Sequence, residues 1–461
     1  MRLKQLTFLL IVLLISPFFL NCTLTAKAET AQNSPGLYVG VDVAFGSVAQ
    51  TEQLIDNVSS FTNFFVIGCA QRIGTNLGFG IYNETRLTII SQYVYNKGLN
   101  FIVYSDDPTY PSKQWLETAT KNFGSHFMGI YYFDEPGGRQ LDRDYPAVTY
   151  AENFNDAANQ YVNMLNSWLR SGPYTITHNF DYPTEYPLFT SDYGLYWYDY
   201  EAGYNTVFAE FGLNSGNENY SRQLNIALCR GAATAFNQNW GVMITWAYKQ
   251  PPYMEPGSEL YNDMVLAYEN GAKYIVVFDS NANWIGNVLQ QSQLDAIKQF
   301  WQYTQNNPRT VSQASSRSAY VLPQNFGYGF RSPNDTIFGL WNANWDGTAS
   351  LSFTADISMC VVTFLQMLGP NLDILYPNGN LTVKSLGYKN VVYWNDTNII
   401  PNMPTMPPQT AATSVRALQF SSYVKTIELY GIVASIVIAL AITGVILRVR
   451  RRQLSERPSS A

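Results

Sequence analysis

Apolar, strand-like runs alternate with helix-like stretches along most of the chain, and this alternation constrains the fold more than any other feature. Eight such pairs occupy residues 37–305 of the 461-residue sequence. The strand-like runs are residues 37–45, 64–69, 100–106, 127–134, 188–192, 206–211, 241–248 and 274–279. Eight strand-then-helix units predict a (β/α)8 barrel over residues 36–308. The competing doubly wound sheet usually has a glycine-rich phosphate loop after its first strand, and residues 43–46 contain no such loop.

The segments outside the barrel predict a protein anchored in a membrane. Residues 1–28 combine a basic start, an apolar run and an A-x-A cleavage site, which is typical of a signal peptide. Residues 316–398 predict a small α/β or β-rich accessory domain, and residues 399–425 a proline-rich linker. Residues 429–447 are apolar enough for a transmembrane helix, and residues 448–461 form a basic tail. By the positive-inside rule the tail is cytoplasmic and the bulk of the chain extracellular.

Composition narrows the class of partner. The net charge of -6 argues against nucleic acid as a partner. Two His and three Cys after the signal peptide predict no metal site, no cofactor and no Ser-His-Asp triad. The 33 Tyr and 10 Trp suit ring-lined clefts that bind carbohydrate, although such rings also fill cores. Glycosylation sequons agree with an extracellular location; they begin at Asn57, Asn83, Asn219, Asn334, Asn380 and Asn395.

The fourth strand-like run ends in two adjacent carboxylates, Asp134 and Glu135, followed by a Pro-Gly-Gly turn. Buried carboxylates are costly unless they are paired, and two neighbouring ones raise the pKa of one of them. The carboxyl ends of barrel strands are where barrel enzymes place their chemistry. A structural alternative is that Asp134 caps the turn and Glu135 is solvated.

The other predicted strands also end in acids or rings, which would face the same mouth. Glu210 ends the sixth strand. The remaining candidates, interpreted as substrate-binding residues, are Asp42, Asp106, Asp192, Trp197, Trp246, Tyr248 and Asp279. Two or three of these acids are expected to be helix N-caps instead, and Trp197 also fits a packed aromatic segment under the mouth. An acid-lined, aromatic mouth suits glycoside hydrolysis, which needs one protonated and one ionised carboxyl group. We interpret Glu135 as the general acid/base, Asp134 as the residue that tunes or orients it, and Glu210 as nucleophile or base.

These residues resemble those of the (β/α)8 glycoside hydrolases, whose proton donor follows the fourth strand. The Asp134-Glu135 pair is similar to the adjacent Asp-Glu of barrel hexosaminidases. That resemblance implies that Glu135 protonates the leaving group and Asp134 orients an acetamido group. The sequence departs from the common retaining group in two ways: no Asn precedes Glu135, and residues 245–248 at the seventh strand contain no acid. Residues 316–398 resemble the small modules that follow the barrel in some β-galactosidase-like enzymes.

Three functions fit the sequence. The first is a membrane-tethered extracellular glycoside hydrolase. The second is a non-catalytic surface protein of the same fold that binds polysaccharide or an envelope partner, favoured by the missing acid on the seventh strand. The third is a metal-dependent hydrolase or deacetylase, because an acidic mouth could hold Ca²⁺ through carboxylate oxygens.

Overall fold

The computed structural model shows a closed barrel of eight parallel strands that follow one another in chain order. The predicted (β/α)8 barrel is therefore confirmed. The strands are β1 Tyr38–Val43, β2 Phe64–Ile67, β3 Asn100–Ser105, β4 Phe127–Tyr132, β5 Leu188–Asp192, β6 Thr206–Phe211, β7 Asn239–Ile244 and β8 Tyr274–Phe278. The residues described are 36–68, 83–106, 110–171, 186–212, 219–281, 283, 285–310, 313–332, 335–342, 352–377 and 383–396.

Helices connect the strands. They are α1 Val48–Val58, α2 Glu84–Asn96, α3 Lys113–Phe123, α4 Pro136–Asp142, α5 Phe154–Ser171, α6 Tyr196–Ala202, α7 Asn219–Phe236, α8 Gly257–Glu269 and α9 Gln291–Asn306. Polar side chains cap several helix starts, as the free N–H groups there require. Ser47 and Gln50 form a reciprocal capping box on α1, and Asn83 and Ser112 accept backbone N–H groups at the starts of α2 and α3. The short helix α4 was not predicted.

Strand alternation fills the barrel interior with large rings. Successive side chains of a strand point to opposite sides, so every second residue faces the barrel axis. The interior cluster includes Phe64, Tyr131, Phe189, Phe208 and Tyr274, and the rings of Phe189 and Phe208 lie 6.0 Å apart. Small residues make room for these rings: a Cβ on Gly241 would lie 2.6 Å from Cδ1 of Phe208. The packed rings close the barrel below its carboxyl-terminal mouth.

The chain after the barrel forms two further sheets and a helix, α10 Ser352–Leu368. Three parallel strands lie in the order β12 Leu372–Leu375, β9 Ser318–Val321 and β13 Asn390–Tyr393, and the two-residue strands β10 Thr336–Ile337 and β11 Trp341–Asn342 pair antiparallel. A buried ion pair connects this region to the barrel, because Nε of Arg230 on α7 lies 2.7 Å from Oδ1 of Asp373 on β12. The barrel and these sheets belong to one compact unit that ends at Thr397. The predicted accessory-domain boundaries stay a prediction.

Several predicted strands differ from the structure, and one of them is the seventh, which was predicted over residues 241–248 and is observed at Asn239–Ile244. The fourth was expected to reach residue 134, but β4 ends at Tyr132, because the backbone enters the left-handed region at Phe133 (φ 60°). The predicted strand 336–341 is a tight hairpin, with Phe338 (φ 51°) and Gly339 (φ 67°) at its turn.

No helix in the described part of the chain has the length and apolar character needed to cross a bilayer. The predicted signal peptide, linker, transmembrane segment and basic tail lie outside the described residues.

Candidate active site

A cavity of about 300 Å³ lies among the carboxyl ends of the strands. Its lining combines acids with rings and one arginine. The acids are Asp42, Asp106, Asp134, Glu135, Asp144 and Glu210. Ten residues were predicted for the site, and six of them line the cavity. Five of the six are acids, and the sixth is Trp246.

The backbone around β4 directs Asp134 and Glu135 into this cavity. Met128 is an extra residue in the pairing of β4 with β3, because the register shifts between Phe101 and Ile102. Bulges of this kind re-aim the side chains that follow them. Next, Phe133 (φ 60°) and Glu135 (φ 53°) both adopt the left-handed region, which costs about 1–3 kcal/mol for each non-glycine residue. Strain of this kind concentrates at functional sites, and here it places the acid pair at the mouth.

The carboxyl groups of Glu135 and Glu210 are hydrogen-bonded to each other. Burial, the charges of Glu210 and Asp134, and this hydrogen bond raise the pKa of Glu135 well above its ordinary value of 4.5. Burial and the charge of Asp134 raise the pKa of Glu210 to about 8, while the hydrogen bonds from Ser191 and Glu135 lower it. The shared hydrogen bond raises the pKa of Glu135 and lowers that of Glu210, so Glu135 is the donor and Glu210 the acceptor once Glu210 is ionised. Different environments give two carboxyl groups different pKa values, so that one can act as an acid and the other as a base.

Glu210 also belongs to a network of hydrogen bonds that includes Ser191 and Tyr131. Oγ of Ser191, on β5, donates to Oε1 of Glu210 at 2.6 Å and lies 2.6 Å from the hydroxyl oxygen of Tyr131. The Tyr131 hydroxyl in turn donates to Oδ1 of Asp134. Three strands, β4, β5 and β6, thus contribute to one network that orients both Asp134 and Glu210.

Acidic residues outnumber basic ones in the lining of the cavity. Arg139, on α4, is the one basic residue in the lining, and its charge lowers the pKa of Asp134, although burial raises that pKa overall. Burial raises the pKa of Asp42 well above its ordinary value, and the charges of Asp134 and Asp279 add to the effect. Crowded carboxyl groups of this kind hold protons near neutral pH.

Two of the predicted acids lie outside the cavity. Asp192 is fully buried, and its carboxylate accepts backbone N–H groups from Gly137, Gly138, Tyr193 and Gly194. Asp279 accepts N–H groups from Asn287, Val288 and Leu289 and so shapes the loop after β8. Alternation explains both positions: Ser191 and Phe278 face the barrel axis, so the residues that follow them point the other way.

Of the three aromatic residues predicted for the site, one lines the cavity and two do not. Trp246 lines the cavity and packs against Phe278, with ring centroids 5.7 Å apart. Trp197 is buried away from the cavity, 4.9 Å from Phe236 and 5.7 Å from Tyr376 between ring centroids. Tyr248 is exposed outside the cavity lining, and its backbone N–H binds the carbonyl of Tyr253.

Sequence reasoning did not find several residues of the cavity, among them Tyr131, Arg139, Ser191 and Asn281. Strand alternation would have indicated Ser191, because it lies two residues after Phe189 on the same side of β5. Tyr131 is hidden by the bulge in β4, and Arg139 lies on the helix that was not predicted. Among the described residues, no group of three or more His, Cys, Asp or Glu side chains is arranged to hold a metal ion.

These observations define the class: a (β/α)8 barrel whose mouth is an acid-lined cavity containing a hydrogen-bonded pair of glutamates. The sequence matches no protein-family model and no curated protein.

Solved structures show the same architecture. A variant of GH5_18 from Streptomyces cattleya, in complex with Manb1-4GlcNAc, is similar to this chain with a TM-score of 0.51, 10% identity, and coverage of 78% of this chain and 99% of that one. The GlcNAc complex of GH5_18 from Streptomyces cattleya gives a TM-score of 0.50 at the same identity and coverage. A β-galactosidase from the Antarctic haloarchaeon Halorubrum lacusprofundi has a TM-score of 0.48 at 9% identity, over 77% of this chain and 69% of that one. The two GH5_18 structures confirm the predicted resemblance to glycoside hydrolase barrels at the level of the fold.

Proposed function

We propose that the protein is a membrane-tethered, extracellular glycoside hydrolase that acts on glycans with Glu135 and Glu210. The observation that carries this proposal is the cavity at the barrel mouth, which brings the buried carboxyl groups of Glu135 and Glu210 into hydrogen-bond contact, so that Glu135 can keep a proton after Glu210 has lost its own. One protonated and one ionised carboxyl group are what glycosidic cleavage requires. The carbohydrate ligands of the two GH5_18 structures support a glycan as the substrate.

Each residue has a role in the proposed reaction. A glycosidic oxygen that enters the cavity replaces Glu210 as acceptor of the Glu135 proton. As the bond between the anomeric carbon and that oxygen breaks, a carboxylate oxygen of Glu210 attacks the carbon and forms an ester. Glu135, now ionised, then takes a proton from water, whose oxygen displaces Glu210 and releases the sugar. Asp134, which accepts a hydrogen bond from the hydroxyl of Tyr131, orients the substrate beside this pair.

The spacing of the pair favours retention of configuration. Inverting enzymes separate their carboxyl groups by about 6.5–9.5 Å to admit a water, whereas retaining enzymes space them by about 5–5.5 Å. Two carboxyl groups in hydrogen-bond contact leave no such gap for water. Glu210 would thus take the nucleophilic role that the acid-free residues 245–248 do not supply.

Membrane tethering is supported by the sequence alone. The apolar residues 429–447 are followed by four arginines, Arg448, Arg450, Arg451 and Arg452, which favour a cytoplasmic tail. The barrel would then stand outside the cell membrane. Protease treatment of intact cells tests this: a tag at the C-terminus should be protected while the barrel is digested, and the reverse would contradict the topology.

The test of the reaction compares four forms of the full-length protein on a panel of oligosaccharides. These are the wild type, Glu135→Gln, Glu210→Gln and the control Glu117→Gln, whose side chain is 59% exposed on α3. We expect each cavity variant to lose at least about 100-fold in kcat/KM, as is typical when a general acid or nucleophile is removed. The control should match the wild type. A fluoro-substituted glycoside should add its glycosyl mass to the wild type at Glu210.

Equal turnover by Glu135→Gln and the wild type would contradict the mechanism. Binding of glycans without hydrolysis of any would instead favour a non-catalytic surface protein that binds polysaccharide. The specific observation behind that second function is the seventh strand, whose end carries Thr245 and Trp246 where the common retaining barrels carry an acid.

A further inference from the structure

One wall of the cavity presents three buried polar atoms that have no hydrogen-bond partner in the described part of the chain. They are Oδ1 of Asp42, Nε1 of Trp246 and Nδ2 of Asn281. The three residues follow or end β1, β7 and β8, which are neighbours in the closed barrel. All three line the same cavity as Glu135, from the loop after β4, and Glu210, from β6, which is the neighbour of β7.

Asn281 is fixed so that its amide group faces this cavity. Its side-chain oxygen accepts the backbone N–H groups of Asn283 and Ile285, so the NH₂ group of the same amide points away from the loop. The loop itself is anchored, because Asp279 binds three of its N–H groups and Gly286 lies against the carbonyl of Phe45. Asn281 is therefore a pre-oriented donor on a loop that is held in place.

Asp42 and Trp246 are equally constrained. Asp42 is 3% exposed, and its backbone carbonyl accepts the N–H of Asp279 at 2.7 Å. Trp246, which lines the cavity, packs its ring against Phe278, and its buried indole N–H has no hydrogen-bond partner among the described residues. The wall thus offers one acceptor and two donors beside the rings of Trp246 and Phe278.

Three unpaired polar atoms in one wall indicate a polar ligand. A buried donor or acceptor without a partner costs about 1–3 kcal/mol, and folded proteins leave few of them. A sugar hydroxyl donates and accepts at once, and the C–H face of a sugar packs on an aromatic ring. The cavity volume of about 300 Å³ is at the lower end of small-molecule sites, which span about 300–1,000 Å³.

The charge of the cavity restricts which sugar fits. Six acidic residues face a single basic residue, Arg139, which already interacts with Asp134. A carboxylate or sulfate on the sugar would be repelled by the acids of the cavity that are ionised, and repulsion of this kind is one way in which a site excludes competing ligands.

We propose that Asp42, Trp246 and Asn281 form a subsite that binds the hydroxyl groups of one neutral sugar ring and excludes anionic sugars. The subsite directs the glycosidic bond of that ring toward Glu135 and Glu210, and in this respect it rests on the proposed hydrolase function. Binding at the wall does not depend on catalysis and is measured without it.

The experiment measures equilibrium binding to the full-length protein by ligand-observed NMR titration. The probes are methyl β-glycosides of glucose, mannose and galactose, with methyl β-glucuronide as the anionic probe. Trp246→Phe keeps the ring and removes the N–H. Asn281→Asp keeps the oxygen that holds the loop and removes the donor. Matched controls are Trp115→Phe, whose N–H binds Thr88 on the outer helices, and Asn96→Asp on the exposed end of α2.

We expect at least one neutral glycoside to bind, and each subsite variant to weaken it by about tenfold, which corresponds to about 1.4 kcal/mol for one lost hydrogen bond. The controls should bind as the wild type does. Unchanged affinity in both subsite variants, or absence of binding by every neutral probe, would overturn the subsite. If the glucuronide binds as tightly as the neutral glycosides, the proposed selectivity of the subsite is wrong. Binding that is lost in these variants while no probe or oligosaccharide is hydrolysed would leave the subsite standing and refute only the hydrolase.

Discussion

The hydroxyl oxygen of Ser191 lies 2.6 Å from Oε1 of Glu210 and donates a hydrogen bond to it. The bond joins neighbouring strands β5 and β6 directly at the floor of the cavity. It lowers the pKa of Glu210, which burial and the charge of Asp134 nevertheless raise to about 8. A small, neutral side chain thus determines at which pH the second carboxyl group is ionised.

Ser191→Ala should therefore shift the pH dependence of activity. A hydrogen bond to a charged group contributes about 1.5–3 kcal/mol, and one pKa unit corresponds to about 1.4 kcal/mol. We expect the pKa of Glu210 to rise by about 1–2 units, which moves the acidic limb of kcat/KM to higher pH by the same amount. The measurement is a pH profile of kcat/KM beside Ser125→Ala, a control with an exposed hydroxyl. An unmoved limb would show that Ser191 has only a structural role.

Glu210→Gln should change how stability depends on pH. The pKa of Glu210 is about 8 in the folded protein and 4.5 ordinarily, so the folded state binds more protons between these values. Stability from this group is therefore greatest at low pH and falls as pH rises from about 4.5 to 8. The glutamine mimics the neutral carboxyl and removes this fall. We measure the free energy of unfolding of both proteins in urea. The value for the variant minus the value for the wild type should increase between pH 5 and pH 8, by on the order of 1.4 kcal/mol per unit of raised pKa. Parallel curves for the two proteins would contradict it.

Asp192→Asn should destabilise the protein although Asp192 lies outside the cavity. Its carboxylate accepts four backbone N–H groups from the loops after β4 and β5. An amide turns its NH₂ group toward some of these donors, which leaves buried N–H groups unpaired. We expect a loss of about 2–4 kcal/mol in the free energy of unfolding. The control is Asp295→Asn, an exposed residue on α9, for which the loss should stay below about 0.5 kcal/mol.

Because the same loop carries Glu135, Asp192→Asn should also lower kcat more than it raises KM. A matched drop in stability with unchanged kcat would show that the two loops are not coupled to the acid pair.

Arg222→Met should be severely destabilising, because it leaves two buried carboxyl groups without their cation. Arg222 lies 2.6 Å from Oε2 of Glu255 and also pairs with Asp263, all three being buried. Breaking such a network costs about 3–5 kcal/mol. Burial raises the pKa of Glu255 to about 8 and of Asp263 to about 6, so the loss should be larger at pH 9 than at pH 5.

Two further variants distinguish the effect of buried charge from that of packing. The triple variant Arg222→Met, Glu255→Gln, Asp263→Asn should recover most of the lost stability in urea unfolding, since no buried charge remains. Lys113→Met breaks an exposed pair with Glu117 and should cost less than about 1 kcal/mol. A triple variant no more stable than Arg222→Met would show that packing, not charge, determines the effect.

The barrel and part of its site were predictable from local patterns. The eight alternating units predicted the closed sheet, because strand and helix periodicity is written in neighbouring residues. Strand ends also located Asp42, Asp106 and Glu210 at the mouth. Applying alternation to each strand would have separated Ser191 from Asp192 and Phe278 from Asp279. The bulge at Met128 and the left-handed turns at Phe133 and Glu135 depend on contacts between strands and had no comparable signal.

By itself the sequence determined the order of the elements, the acidic and aromatic character of the strand ends, and the position of the acid pair Asp134 and Glu135 directly after the fourth strand. Only the tertiary structure decided that Glu135 meets Glu210, that Ser191 and Tyr131 hold this network, and that Asp192 and Asp279 bind loops instead of lining the cavity. The reason is physical: hydrophobic periodicity is a local property, whereas a raised pKa and a shared hydrogen bond depend on burial and on partners distant in the chain.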